Sequence, residues 1–150
     1  DTVINIQGDE PLVSGLQLDE LLGAFRDPAV QIATLVHAEV SAEDLQNVNR
    51  IKVIEDLQHN AIYFSRSALP NMHYAKNSVF PWLRHIGLYA YRSEVLQHIA
   101  GLAPCALEQA ESLEQLRWLY YGLPIRLVRT AIETPNIDVP ADLEKVLPFL

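Results

Sequence analysis

The spacing of six short apolar runs is what most constrains the fold of this chain. Runs at 2–7, 31–40, 51–55, 61–65, 85–91 and 125–132 are rich in Val, Ile, Thr, Tyr and Phe, residues that suit a pleated, half-buried surface. Several are separated by stretches long enough for a helix. The runs 51–55 and 61–65 are separated only by Asp56-Leu-Gln-His-Asn60, which predicts an antiparallel hairpin. Helical crossovers combined with a hairpin predict an α/β fold with a mixed sheet. Thr2 to Gln7, stopping at Gly8, reads as a buried strand of the kind typical of parallel sheets.

Leu16, Leu18, Leu21, Leu22 and Phe25 recur at helical spacing, and Asp27-Pro28 closes that helix. Ser41-Ala-Glu-Asp44 resembles a capping box, with Asp in place of the usual Glu or Gln. The stretch from Arg66 to Pro81 has two prolines and no period and reads as a loop. Ser93 is expected to cap a helix reaching about Leu102. A mostly helical stretch follows from Pro104 to Tyr121, ended by Gly122. Pro140 opens a last helix. No repeat or linker divides the chain, and 150 residues suit one domain, 1–150. Residue 1 is Asp and a strand begins at once, so the chain is expected to be cut from something longer.

Charge and motifs narrow the function. The formal net charge is −8, and Lys and Arg are scattered, which argues against nucleic acid as a partner. No apolar run has the length of a membrane span. Cys105 is the single cysteine, so no disulfide framework exists and a reducing compartment is expected. There is no P-loop, GxSxG, CxxC or HExxH pattern, and the five histidines lack zinc-ligand spacing.

Five places could carry chemistry. Gln7-Gly-Asp-Glu-Pro11 lies where the first strand ends, the position at which ligands enter open α/β sheets. Asp9 either points into that crevice, or Asp9 and Glu10 cap the next helix or face solvent. With a period of two, His85, Gly87 and Tyr89 share one strand face, while Ile86, Leu88 and Ala90 face the core. Gly87 leaves a hollow between two hydrogen-bonding rings, open to a ligand or to another backbone; the alternative is a helix packed over it. Ile62, Phe64 and Arg66 share a hairpin face, and Arg66 either forks onto a carboxylate or phosphate or lies on the surface. Leu113, Leu116 and Tyr120 form a helical stripe flanked by Glu114 and Gln115. Glu114 with Arg117 is either a surface pair or, with Gln115, the lining of a site for a hydroxyl-rich ligand. Asp138, before the last helix, is an N-cap or a charge near the helix dipole, with Asp142 competing for that role.

Five segments in one order resemble the 3-deoxy-manno-octulosonate (Kdo) cytidylyltransferases across essentially the whole chain. They are Val3-Ile-Asn-Ile-Gln-Gly-Asp-Glu-Pro11, Tyr63-Phe-Ser-Arg-Ser67, Arg84-His-Ile-Gly-Leu-Tyr-Ala-Tyr-Arg92, Leu113-Glu-Gln-Leu-Arg117 and Ile137-Asp-Val-Pro-Ala-Asp-Leu143. Sialic-acid cytidylyltransferases share the fold but usually lack the first and third of these together. The resemblance implies a Rossmann-like nucleotidyltransferase fold and Mg²⁺-dependent transfer of the cytidylyl group from CTP to Kdo for lipopolysaccharide synthesis. It further implies a homodimer in the cytoplasm. Asp9 and Asp138 match the family's two Mg²⁺-holding aspartates. Gln7, Arg66, His85, Tyr89, Glu114 and Gln115 match positions around the sugar. The competing expectation is a non-catalytic sugar-binding or dimerisation module that keeps the fold.

The chain departs from the family pattern in several places. Val139 stands where a threonine is usual, Pro104-Cys-Ala-Leu107 replaces Pro-Ser-Pro-Leu, and the loop from Pro70 to Phe80 is short. The family's I-P-A-R-x-x-S-x-R loop, which grips the CTP phosphates, has no counterpart here. The chain is therefore expected to be the C-terminal portion of a larger enzyme and to lack activity alone.

Overall fold

The computed structural model describes residues 1–8, 10–75, 79–133 and 143–147. The chain order is β1 (Thr2–Asn5), α1 (Gly15–Gly23) with a 3₁₀ turn (Ala24–Arg26), β2 (Ile32–His37), α2 (Ala42–Gln46), β3 (Lys52–Glu55), β4 (Ala61–Ser65), β5 (Leu83–Arg92), α3 (Ser93–Ala100), α4 (Ala106–Glu111), α5 (Gln115–Tyr120), β6 (Ile125–Arg129) and α6 (Leu143–Val146). The strands form one mixed sheet in the order β4-β3-β5-β2-β6, with β1 also on β5. β2 and β6 are parallel, and the other pairings are antiparallel.

Alternation along β2 and β5 divides the core. Ile32 and Val36, with Tyr89 and Tyr91, pack with Ile99, Leu116 and Trp118 of α3 and α5. Ala33 and Leu35, with Ile86, Leu88 and Ala90, pack on Leu21 of α1. Helices thus cover both faces of the sheet. Each large side chain buried in these layers contributes about 1.5–3 kcal/mol.

β5 is the long central strand, and its two edges are used differently. β2 follows one edge from Arg84 to Tyr91. The other edge is shared: β1 takes Tyr89–Arg92 and β3 takes Leu83 and Arg84. A notch remains between them, narrowed by the His85 amide donating to Ile51 O at 2.9 Å. Opposite the notch the β2 register jumps from Thr34↔Tyr89 to Leu35↔Ile86, leaving Gly87 and Leu88 without partners. Such a bulge bends the strand and re-aims its side chains.

Several local expectations are corrected. β1 is antiparallel and alternates half-buried with exposed residues, because it lies at the sheet rim and not within a parallel core. Leu16 is 66% exposed, and the fully buried partner of Leu21 is Gln17, which completes the Ser14 capping box and donates to Ile132 O. Ser93 is the first residue of α3 and not its cap; Arg92 holds that position, with its guanidinium on Val30 O and Phe25 O. Ile62 and Phe64 do not share a burial environment, because the register skips Ile62, leaving it exposed over a fully buried Phe64.

The stretch after Pro104 is two helices, not one. α4 stops at Ser112, whose φ of 51° is left-handed, and Leu113 N donates to Glu108 O as in a Schellman ending. Trp118 is buried where Tyr120 was expected, and Tyr120 is 63% exposed. The Ser41–Asp44 capping box is present. Gly122, with φ of 80°, ends α5 in a backbone region that glycine adopts without steric cost.

Candidate functional site

The notch in the β5 edge opens into a cavity of about 530 Å³. Its floor is β5, from which Arg84, His85, Gly87, Tyr89 and Tyr91 line the space. Gln7 and Glu10 enter from the turn after β1, and Arg66, Ser112, Glu114 and Gln115 close the opposite side. All six residues expected around a sugar, Gln7, Arg66, His85, Tyr89, Glu114 and Gln115, line this one space. Asp9 and Asp138 lie outside the described residues.

The hollow at Gly87 is filled in part by side chains and not by a helix. A Cβ placed on Gly87 would stand 3.1 Å from Gln7 Oε1 and 3.7 Å from Glu10 Oε1. Glycine here admits the Gln7 amide and the Glu10 carboxylate against the strand. Glu10 is 7% exposed and does not cap α1, a role that Ser14 takes.

Two rings occupy the rest of this strand face. His85 Nε2 lies 3.0 Å from Thr34 Oγ1, and its ring meets Phe64 edge-on at 5.2 Å and Tyr89 at 5.3 Å. Burial, and secondarily the Arg84 charge, lowers the His85 pKa to about 3, so the ring is neutral near pH 7. Tyr89 is 3% exposed, and its Oη has no hydrogen-bond partner among the described residues. Burial raises its pKa well above the ordinary phenol value, and Tyr91 adds to this. The site therefore offers a protonated phenol and a neutral imidazole side by side.

Arg66 is tied down more than its position suggested. Nε donates to Glu111 O at 2.6 Å, Nη1 to Val48 O at 2.9 Å and Nη2 to Ser112 O at 3.3 Å. The fork thus ties the α4–α5 break to β4, holding the backbone that leads into Glu114 and Gln115. The Glu111 carboxylate accepts from Ser65 Oγ and from the Arg66 amide. Beneath them Lys52, 0% exposed, donates to Asn47 O and Arg66 O. Burial lowers the Lys52 pKa, against the pull of Glu111. Glu114 is not paired with Arg117, which instead binds Glu108 and Leu102 O.

Other polar residues at the cavity had no motif to mark them in the sequence. Arg50 and Arg84 both line it. Arg84 is 3% exposed, reaches Glu133 through Nη2 at 2.9 Å and leaves its Nε buried without a partner among the described residues. Its pKa is lowered by burial first and Arg50 second. Arg50, Arg66 and Arg84 stand at this cavity with Glu10 and Glu114, and two of the guanidinium groups are balanced within the protein, Arg50 by Asp44 at 3.6 Å and Arg84 by Glu133 at 2.9 Å. The signal available in the sequence was period two, which places Arg84 off the His85 face and conceals it. Among the described residues no group of three His, Cys, Asp or Glu side chains could hold a metal ion.

A family model described as "Cytidylyltransferase" matches residues 1–130. A 3-deoxy-manno-octulosonate cytidylyltransferase of Phocaeicola vulgatus is 46% identical over 159 aligned positions, covering 100% of this chain and 62% of the relative. One from Escherichia coli is 44% identical, covering 97% and 58%. The chain thus spans about three-fifths of the length of these relatives. The solved structure of a CMP:2-keto-3-deoxy-manno-octonic acid synthetase complexed with CTP superposes with a TM-score of 0.89 at 43% identity, covering 99% of this chain and 61% of that one. A 4-diphosphocytidyl-2C-methyl-D-erythritol synthase from Anaerococcus prevotii, 11% identical with a TM-score of 0.55, covers 99% and 57% and shares the fold.

Proposed function

Because this chain belongs to the cytidylyltransferase family, we propose that the protein transfers the cytidylyl group of CTP to the anomeric hydroxyl of Kdo, giving CMP-Kdo and pyrophosphate. The hydroxyl oxygen forms a bond to the α-phosphorus as the bond to the β-phosphate oxygen breaks, and the hydroxyl proton is released. What supports the reading is one observation. The cavity gathers Gln7, Arg66, His85, Tyr89, Glu114 and Gln115 in a chain 46% identical to a Kdo cytidylyltransferase.

In this reading the cavity binds the acceptor sugar. The phenol of Tyr89 donates and the imidazole of His85 accepts hydrogen bonds to hydroxyls. Gln7, Glu114 and Gln115 add short-range polar contacts, and Arg50 and Arg84, which line the cavity, are the cations nearest the sugar carboxylate. Arg66 acts mainly by holding the α4–α5 turn in place. Catalysis on this face is orientation of the attacking hydroxyl, which needs no protein nucleophile.

Asp9 and Asp138 are the proposed Mg²⁺ ligands. Carboxylates suit that hard cation, and Gln7 and Glu10, near Asp9 in the chain, line the cavity. When bound, the ion would neutralise charge developing on the phosphates. Homodimeric assembly and action in the cytoplasm belong to the same proposal, and mass photometry of the intact protein tests the former.

The deciding experiment is pyrophosphate release by the intact protein with CTP and Kdo, with and without Mg²⁺. Kdo-dependent release that requires Mg²⁺ is expected, with N-acetylneuraminate a poor substitute. Kdo binding without turnover would instead favour a non-catalytic module. Equal turnover of both sugars would refute the substrate assignment.

A further inference from the structure

Thr34 lies directly behind the cavity, and no motif marks it. It is 0% exposed and stands opposite Tyr89, at the last matched position before the bulge. Its Oγ1 is 2.8 Å from Leu88 O, 3.2 Å from Ile86 O and 3.0 Å from His85 Nε2. A hydroxyl has one proton to donate and two lone pairs to accept with. The two carbonyls can only accept, so the hydroxyl proton goes to them, and foremost to Leu88 O. An unprotonated Nε2 would then set lone pair against lone pair at 3.0 Å. A protonated Nε2 instead completes the set.

The opposite assignment fails on the same count. If the hydroxyl donated to Nε2, both carbonyls would face its lone pairs at 2.8 and 3.2 Å. Nδ1 makes no hydrogen bond with a described residue, and His85 is half-buried and lines the cavity. The rings of Phe64 and Tyr89 fix its plane.

We propose that Thr34 is a positioning residue: its hydroxyl locks His85 as the Nε2–H tautomer, so that Nδ1 meets the cavity as an unprotonated acceptor for a ligand hydroxyl. The depressed His85 pKa agrees, since a neutral ring is required. The bulge is the device that makes this possible, because it brings two strand carbonyls and the ring to a single side-chain oxygen. That the hydroxyl belongs to a sugar acid rests on the function proposed above; the tautomer does not.

Long-range ¹H–¹⁵N correlation spectra of the intact protein, labelled at histidine, read the tautomer directly. The His85 signals are assigned by their loss in His85→Gln. A pyridine-type Nδ1 and a pyrrole-type Nε2 are expected near pH 7 in the native protein and in Thr34→Ser, and a mixture of tautomers in Thr34→Val. A native Nδ1–H tautomer or imidazolium would overturn the proposal, and so would a Thr34→Val spectrum like the native one. The native and serine spectra decide the question even if the valine variant does not fold. Thr34→Val should also raise the KM for Kdo about three- to tenfold, the worth of one neutral hydrogen bond, with the serine variant near native. A tautomer shift with unchanged KM would leave the positioning role standing and refute the sugar reading.

Discussion

Replacing Gly87 by alanine tests the contact that shapes the cavity floor. Its φ is not in the left-handed region, so alanine is allowed there. The new methyl would stand 3.1 Å from Gln7 Oε1 and 3.5 Å from Gln7 Cδ, about 0.3 Å inside ordinary contact at the first. The atoms displaced are the end of a flexible side chain, so the neighbour yields at about 0.5–1.5 kcal/mol of off-rotamer strain. Against this, removing a strand glycine returns about 0.5–1 kcal/mol of unfolded-state entropy. The two nearly cancel, and Tm should stay within about 3 °C of native. The Gln7 amide, however, is driven out of place, and the hollow is filled. Loss of one positioned hydrogen bond weakens Kdo binding about three- to tenfold. Calorimetry with Kdo and a thermal scan on the same sample measure both. Native affinity would refute a ligand-facing Gln7, and a Tm lowered by about 10 °C would show that Gly87 serves packing instead.

Three further outcomes follow from the same geometry. Because the folded state holds His85 at about 3 against an ordinary 6.5, the unfolded chain takes up the proton first. The associated stability is therefore present above pH 6.5 and lost as pH falls toward 3, by at most about 1.4 kcal/mol per pH unit. His85→Gln should flatten that acid limb in urea titrations, and an unchanged slope would contradict it. Lys52→Met strips the donor from Asn47 O and Arg66 O and should lower unfolding stability by about 2–4 kcal/mol; a neutral result in denaturant melts would mean that these carbonyls find water. Ser112→Gly relieves a left-handed residue at φ 51° worth about 1 kcal/mol, raising Tm by about 2–4 °C, and a fall in Tm would show that the serine side chain contributes there.

Much of the site was legible because it lies on regular structure. Period two along β5 separates His85, Gly87 and Tyr89 from Ile86, Leu88 and Ala90, and the structure keeps that division. The five-residue connection after Glu55 forms the hairpin, and Ser41 forms its capping box. What failed were inferences from local pattern about long-range partners. Leu16 and Tyr120 fit helical stripes yet face solvent. Arg66 is read as either an anion-binding fork or a surface side chain, but three carbonyls from Val48, Glu111 and Ser112 occupy it. The break at Ser112 has no glycine or proline to announce it.

By itself, then, the sequence determined the alternating faces of β5, the Ser41 cap and the class of sheet, because these depend on chemistry repeated every two to four residues. Only the tertiary structure decided that β1 and β3 share one edge of β5, that the register slips at Gly87, and that Thr34 reaches His85 across that slip. Those facts depend on which edges meet and in what register. Burial fixes such choices through contacts between residues about thirty to ninety positions apart, and no local pattern encodes them.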